Sequence, residues 1–539
     1  MASTTHIHDL DNDSLLQIFS CYRLEDQDKW YLRLSWRKLT HICRRWRYLI
    51  FDSSTHLDMY LRLTNGFPSL NRLRHLPPLP MVIDYSVKPS TFALKDEDNI
   101  LAGLRQNGRV HRLALHAPSS RLQKWLTALD KPFPRLGDLS LLSTTTEETN
   151  LVLPETLNAP FLHHLSLQGI GLSKGLSSLS SMITLSTISL THIRDSCYFS
   201  PGHLVTQLRD LLLLEELSIG FANPIPLPSS EAELLPAPIP PVTLPNLGRL
   251  TFRGVGVYLD NLVAQINTPL LEQLSLTLFF ELAFTLVNLA EFIRRTEGVG
   301  CRVARVIFDK DSASIFTGHS EQWSTGKLSL RVNCESLDWQ VDSATQVCIA
   351  LGNVLSAVED LTFDLDVDGM PSTWENTLDN MLWHELLLPF VGVKKLRIGP
   401  SLTLELSQAL ESVTEGLVLD LLPELQELEI QLKIDHGNNA FSGFVETRES
   451  VGRPVHLLAP PIPHAEPEVH QADPEALLQD PELLHAELEV YHIDRKAFRR
   501  YMNYIGRPYR NQAMNLISLC RGFIQAQRQT FHSYDELRR

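Results

Sequence analysis

Apolar residues recur through the middle of the chain in one short unit, at its first, fourth and sixth positions. The unit appears at Val110/Leu113/Leu115, Leu136/Leu139/Leu141, Leu162/Leu165/Leu167, Leu185/Ile188/Leu190 and Leu214/Leu217/Ile219. It continues at Leu247/Leu250/Phe252, Leu271/Leu274/Leu276 and Val303/Val306/Phe308, then at Val358/Leu361/Phe363, Val393/Leu396/Ile398 and Leu425/Leu428/Ile430. The fourth and sixth positions alternate along an extended chain, so both face one side of a strand. One such strand cannot bury its own apolar face; stacking the units side by side builds a continuous core. Proline stands just before the first position in Pro134-Arg135-Leu136, Pro245-Asn246-Leu247 and Pro423-Glu424-Leu425. Its fixed φ suits a turn entering a strand, where no N–H is required. Helical spacing fills 122–129 and 288–295. The period runs from the low twenties to the mid thirties, and no regular Asn or Cys follows the strand. This predicts an irregular repeat array; a non-repeat α/β domain with similar strands is the alternative.

The N-terminus follows a different pattern. Asp11, Asn12 and Asp13 precede Ser14-Leu15-Leu16-Gln17-Ile18-Phe19, where short polar acceptors cap a helix start and suit its dipole. In a second segment Leu39, Ile42, Cys43, Trp46, Leu49 and Ile50 recur at helical steps, opposite Arg44, Arg45 and Arg47. Two short amphipathic helices expose more apolar area than they bury alone. The excess faces either a partner or the following domain.

Two interruptions mark the array. The stretch 223–245 holds seven prolines up to Pro241 and predicts an exposed loop without regular structure; a proline-rich ligand is the sharper reading of it. The stretch 452–474, rich in Pro, Ala and His, predicts a linker. Beyond it the charge splits. From 461 to 494 there are nine acidic residues and no Lys or Arg; from 495 to 539 there are ten basic residues and two acidic ones, Asp535 and Glu536. A helical tail over 475–539 whose charge blocks associate is expected.

Composition narrows the partners. The net charge of −15 disfavours non-specific nucleic-acid binding. No apolar leader opens the chain and no window reaches a membrane span, so no membrane role is expected. Seven scattered cysteines without a C-x-x-C pair point to a reducing cytoplasm or nucleus. Catalytic motifs are wanting. Arg253-Gly254-Val255-Gly256 lacks a third glycine and a strand–turn–helix setting. Asp364, Asp366, Asp368, Gly369 and Glu375 fit the spacing of an EF-hand calcium loop, but they follow a strand and Pro371 removes a needed N–H. No cofactor and no metal is expected.

The N-terminal segments resemble an F-box. Leu10 matches its first leucine, Asp13 its acidic position, and Leu15, Leu16, Ile18 and Phe19 its first helix. Ile42, Cys43, Arg44, Arg45, Trp46 and Arg47 match its second block. Asp11 departs from the family's proline, and the connector 23–38, with Trp30 and Trp36, is longer than common. That connector, Leu79-Pro80-Met81-Val82-Ile83-Asp84 and 383–390 are similar to the large fungal F-box family. The array resembles a leucine-rich-repeat solenoid. The resemblance implies an α/β chain: an all-helical F-box module (1–60), an irregular leucine-rich-repeat solenoid (80–451) and the helical tail. It further implies a non-catalytic adaptor that docks the Skp adaptor, and through it a cullin-RING ubiquitin ligase, while the repeats bind a target protein. Leu10, Leu15, Ile18, Ile42 and Trp46 would make the docking contact. A protein-binding scaffold without a ubiquitin role is the alternative.

Strand alternation also indicates where a target would bind. Positions three, five and seven face away from the core. They place Arg112, His116, Arg249, Arg253, Gln273, Arg305, Asp309, Asp360 and Asp364 on one face. Position five is small in many units: Ala114, Ser140, Ser166, Ser189, Ser218, Thr251, Ser275 and Thr362. A merely solvated polar face is the competing reading.

Overall fold

A computed structural model describes residues 10–24, 39–53, 60–63, 79–86, 94–145, 150–172, 179–224, 241–296, 302–318, 327–334, 337–366, 380–411, 421–430 and 440–458. The chain divides into two compact units, Met1–Pro460 and Pro461–Arg539. Every described residue belongs to the first unit, so the expected charged tail, 475–539, lies outside the described residues.

The first unit is mixed α/β, built on one large, mostly parallel sheet. Its strands begin with β1 (Leu61–Leu63), β2 (Met81–Ser86), β3 (Val110–Ala117), β4 (Asp138–Ser143), β5 (His164–Gln168), β6 (Thr187–Ile193) and β7 (Glu216–Phe221). Then follow β8 (Val242–Thr243), β9 (Arg249–Gly254), β10 (Ile266–Asn267), β11 (Gln273–Phe279), β12 (Val303–Phe308), β13 (Ser312–Gly318) and β14 (Leu328–Asn333). The last are β15 (Asp360–Leu365), β16 (Lys395–Ile398), β17 (Glu427–Ile430) and β18 (His456–Leu458). Sixteen of them form an open sheet in the order β1-β2-β3-β4-β5-β6-β7-β9-β11-β14-β13-β12-β15-β16-β17-β18.

The register stacks the inward residues into two columns. One runs Ile83, Leu113, Leu139, Leu165, Ile188, Leu217, Leu250, Leu274 and Leu328. The other runs Tyr85, Leu115, Leu141, Leu167, Leu190, Ile219, Phe252, Leu276 and Leu330 over the same strands. All are buried in one cluster. The expected helical stretches are the helices Ser119–Leu126, extended by the turn Thr127–Leu129, and Val287–Arg295. The first buries Leu122, Trp125 and Leu126. The prolines before the first repeat position sit in tight turns: Leu136 N–H donates to Phe133 O (3.2 Å), Leu247 to Leu244 (3.4 Å) and Leu425 to Leu422 (3.0 Å). Each turn has proline second, where its φ is already set.

Four features differ from expectation. The sheet starts at Leu61, ahead of residue 80, and its last strand, β18, falls inside the stretch 452–474 expected to be a linker. Val242–Thr243, inside the expected loop 223–245, pairs in parallel with Ile266–Asn267; residues 225–240 lie outside the described ones. β13 and β14 were not anticipated. β13 runs antiparallel beside β12 and β14 antiparallel beside β13, so that β14, not β12, lies parallel beside β11. Finally, β12 is offset by two residues from the anticipated unit. Ala304 pairs with Leu361 and Val306 with Phe363, so Asp309 falls beyond the strand.

The far end of the array is held by a buried cation. Arg448 is fully buried in the helix Ser442–Ser450. Its guanidinium donates to the carbonyls of Leu421, Pro423 and Leu425 at 3.4, 3.4 and 3.3 Å. It lies 5.9 Å from the Phe444 ring, and burial lowers its pKa from the ordinary arginine value. The carbonyls it binds belong to the turn in which Leu422 adopts φ 47°, a left-handed conformation uncommon for leucine. Arg448→Ala leaves these buried acceptors unpaired and is expected to cost about 2–3 kcal/mol. Urea unfolding checks the magnitude, and amide exchange should show the loss centred on β17.

Candidate docking surfaces

The helices Asn12–Leu24 and Arg44–Asp52 pack into a small core of Leu15, Phe19, Trp46, Leu49 and Ile50. Phe19 meets Trp46 edge-on at 4.9 Å. Asp11 begins the first helix by accepting from Ser14 N–H (2.6 Å). That hydrogen bond is the main reason its carboxyl lies below the usual carboxylate value. Capping by this side chain starts the helix without the proline of the F-box pattern. Cys43 caps the second helix, its Sγ accepting from Trp46 N–H at 3.4 Å. Arg45 ties the segments together through Leu10 O (2.6 Å) and Asn12 Oδ1 (3.0 Å). Phe51 packs against both this small core and the core of the sheet.

This divides the five expected docking residues. Leu15 and Trp46 are inside, because they make the apolar contact that joins the two helices. Leu10 is half-buried at the edge of the core. Ile18 and Ile42 are 43% and 56% exposed. Sequence reasoning missed Tyr48, 75% exposed on the second helix. Its signal was its position, two residues past Trp46 and so off the buried stripe.

The outward face of the sheet has two halves. From β3 to β14 its central column is Ala114, Ser140, Ser166, Ser189, Ser218, Thr251, Ser275 and Ser329. Thr251 is exposed, the serines are partly so, and their hydroxyls make no hydrogen bond to other described residues. Beside this strip Arg112 is exposed, while His116 and Gln273 are half-exposed. Arg249 pairs with Glu216 at 2.9 Å, and the Arg253 guanidinium lies 5.6 Å from the Phe279 ring. A bulge in β6 puts His192 at φ 54°. Burial, then the Arg253 charge, lowers its imidazole pKa.

The other half is a mesh of internal ion pairs. Arg305 holds Asp364 at 2.5 Å. Arg397 holds Asp360 at 3.1 Å and Glu429 at 3.2 Å, and Lys395 reaches Glu429 at 3.0 Å. Arg305, Asp360 and Asp364 therefore share the face as expected, but they satisfy each other or Arg397. Asp309 lies just past the end of β12, where it pairs with Arg331 of β14 at 3.3 Å. It closes the β12–β13 turn, accepting from Asp311 N–H (2.9 Å) and Ser312 Oγ (2.8 Å).

Arg253-Gly254-Val255-Gly256 does join a strand to a helix, Gly256–Ala264, against expectation. However, Gly256 N–H already donates to the Glu281 carboxylate, whose pKa burial raises. The helix start thus holds an anion of its own. The calcium-like loop passes outside the described residues after Asp366. Among the described residues, no group of three or more His, Cys, Asp or Glu is gathered to hold a metal. Burial pushes the Cys334 thiol up to about 11 and raises Cys348 as well. No described helix is long and apolar enough to cross a membrane.

No family model matches the chain, and no curated protein sequence matches it.

Two outcomes follow from the N-terminal core. Leu15→Ala empties part of it and should cost about 3 kcal/mol, whereas Ile18→Ala should change stability by less than about 0.5 kcal/mol. Hydrogen exchange over Asn12–Leu24 separates them. Because the folded Asp11 pKa is lowered, its stabilisation is present above the ordinary carboxylate pKa and is lost as pH falls through the lowered value. Acidification across that window should increase fraying at Ser14 in the native protein, and less so in Asp11→Ala.

Proposed function

We propose that this chain is the substrate-recognition subunit of a cullin-RING ubiquitin ligase. The helical module docks the Skp adaptor, and the sheet belongs to an irregular leucine-rich-repeat solenoid that holds a target protein. The observation that carries the reading is the division of the module's apolar residues. Leu15, Phe19, Trp46, Leu49 and Ile50 complete a core, while Ile18, Ile42 and Tyr48 remain exposed around it. Apolar side chains that the core does not use suit a partner surface. Stacked leucines in parallel register support the solenoid reading.

The chain itself performs no bond chemistry in this reading. Its F-box brings the target close to the conjugating machinery, and proximity raises the effective concentration of the reacting groups. The target lies on the outward face from β3 to β14, where free hydroxyls and Arg112, Gln273, Arg249 and Arg253 meet solvent. The self-paired half beyond β12 stiffens the array. Such a complex works in the cytoplasm or nucleus, the reducing compartments that the scattered cysteines fit.

Two variant pairs test the parts separately. Ile18→Asp with Ile42→Asp places carboxylates in the docking contact and should abolish Skp-adaptor binding, while circular dichroism stays unchanged. Arg249→Glu with Arg253→Glu should abolish target capture and leave adaptor binding intact. Unchanged adaptor binding by the first, correctly folded pair would reject the ligase role and favour a plain repeat scaffold.

A further inference from the structure

Most repeat strands are entered through a tight turn whose two end residues are buried and whose two central residues face outward. One hydrogen bond closes each turn: Leu162 N–H donates to Ala159 O (3.1 Å), Leu185 to Met182 (3.1 Å), Leu214 to Leu211 (3.2 Å) and Leu271 to Thr268 (3.3 Å). The central positions ask only for a compact backbone and accept most residues, as exposed Arg135 and Glu424 show in the turns before β4 and β17. Before β5, β6, β7 and β11 they hold large apolar side chains instead. Phe161, Ile183, Leu212, Leu213 and Leu270 are 59, 59, 56, 52 and 60% exposed. The strands they enter stand in the order β5-β6-β7-β9-β11, so the five side chains form one ridge along the entry edge of the sheet. Four strand spacings make it roughly 19 Å long.

Two polar residues interrupt the ridge, and the fold accounts for both. Thr184 Oγ1 donates to the carbonyls of Pro160 (3.0 Å) and Leu162 (2.9 Å), and Asn246 Nδ2 donates to the carbonyl of Leu212 (2.8 Å). Each fastens one turn to its neighbour and stiffens the row. No turn chemistry calls for the five apolar side chains. Together they expose on the order of 500 Å², as much as the largest apolar patch of an ordinary monomer, and such patches mark contact sites. That is short of the roughly 800 Å² that each partner gives to a standard interface, so the ridge alone does not hold two copies of this chain together.

The surroundings specify the partner. Backbone N–H groups beside the ridge are already used: His163 and His164 donate to Gly137 O, Ser186 and Thr187 to His163 O, Glu215 and Glu216 to Ser186 O, and Glu272 and Gln273 to Gly248 O. An added strand finds no donors there, so the partner must satisfy its own backbone, as a helix does. Three turns of helix carry an apolar stripe roughly 16 Å long, which matches the ridge. On the sheet side of the ridge, Glu215 and Glu272 are exposed and make no ion pair among the described residues. On the helix side, Arg209 and Asp210 carry opposite charges. One flank of the ridge is therefore acidic.

We propose that this ridge docks an amphipathic helix of a partner protein, its apolar stripe on the five exposed side chains and its basic residues facing Glu215 and Glu272. The site is separate from both the N-terminal module and the hydroxyl strip of the outward face.

Fluorescence anisotropy on the full chain tests this with a labelled helical peptide of about fifteen residues, carrying Leu at every third or fourth position and Lys along one flank. One control peptide has the same composition with the leucines scattered; the other has Glu in place of Lys. The striped basic peptide should bind saturably, and each control at least tenfold more weakly. Leu213→Ser with Leu270→Ser should weaken binding about tenfold or more, with circular dichroism unchanged because both side chains are exposed. Glu215→Gln with Glu272→Gln leaves the ridge intact and should weaken binding while flattening its salt dependence. Absence of saturable binding, equal binding of either control, or undiminished binding by both variant pairs overturns the proposal. Sedimentation velocity and anionic vesicles cover the other occupants. Self-association lost in Leu213→Ser with Leu270→Ser would give the ridge to a second copy, and binding to vesicles without binding to the peptide would give it to a membrane; either result overturns the helix assignment.

Discussion

Most strands of the sheet turn at least two apolar side chains inward, and none finds its partner within its own strand. Leu113 needs Leu139, which needs Leu165, and so on across the array. Burying one such side chain contributes roughly 1.5–3 kcal/mol, but only while neighbours on both sides exclude water. The parallel register is what keeps those neighbours opposite one another. A slip of one residue would send every leucine to the solvent face and every serine into the core. Both the inward columns and the outward hydroxyl strip therefore depend on one constraint, the alignment of successive strands.

That constraint explains what the sequence revealed. Alternating apolar positions identified most strands of the sheet, because burial on one face leaves a period of two. They also placed the small position-five residues on one outward column. The template was blind to β14, whose Leu328, Leu330 and Val332 alternate properly but lack an apolar residue three places ahead of Leu328. That position is set by a turn entering a repeat, and β14 is entered from a hairpin instead. At β12 the template chose Val306 and Phe308 over Ala304 and Val306, since alanine is a weak hydrophobic signal. In the N-terminal module the spacing found both helices, but helical spacing alone does not separate Leu15, which joins the two helices, from Ile18, which remains outside. Asp11 was legible as a cap from residue type and position.

The two halves of the outward face differ in electrostatic character. Beyond β12, Arg305, Asp364, Arg397, Asp360 and Glu429 are half-buried and already paired. A partner landing there would have to break those pairs or leave them desolvated, and desolvation commonly offsets what new contacts return. The serine strip presents no such barrier. Its hydroxyls make no hydrogen bond to other described residues and can serve as donor or acceptor as required. Short side chains also lose little entropy when a partner arrives. One face thus combines a stiff, self-satisfied half with a receptive one.

The reversal at β12–β13–β14 sets the order in which the molecule can assemble. In an uninterrupted array each strand adds to the one just before it, so folding spreads from neighbour to neighbour and ends peel away independently. Here β11 waits for β14, whose first residue lies about fifty positions downstream, and β15 must reach past β13 and β14 to join β12. Neither half closes its edge until the chain has run out, turned and come back between them. The two ends of the sheet are interleaved at this seam, so a break in the middle cannot heal by local zipping. Loss of the seam exposes two apolar edges at once, which couples the two halves into a single cooperative unit.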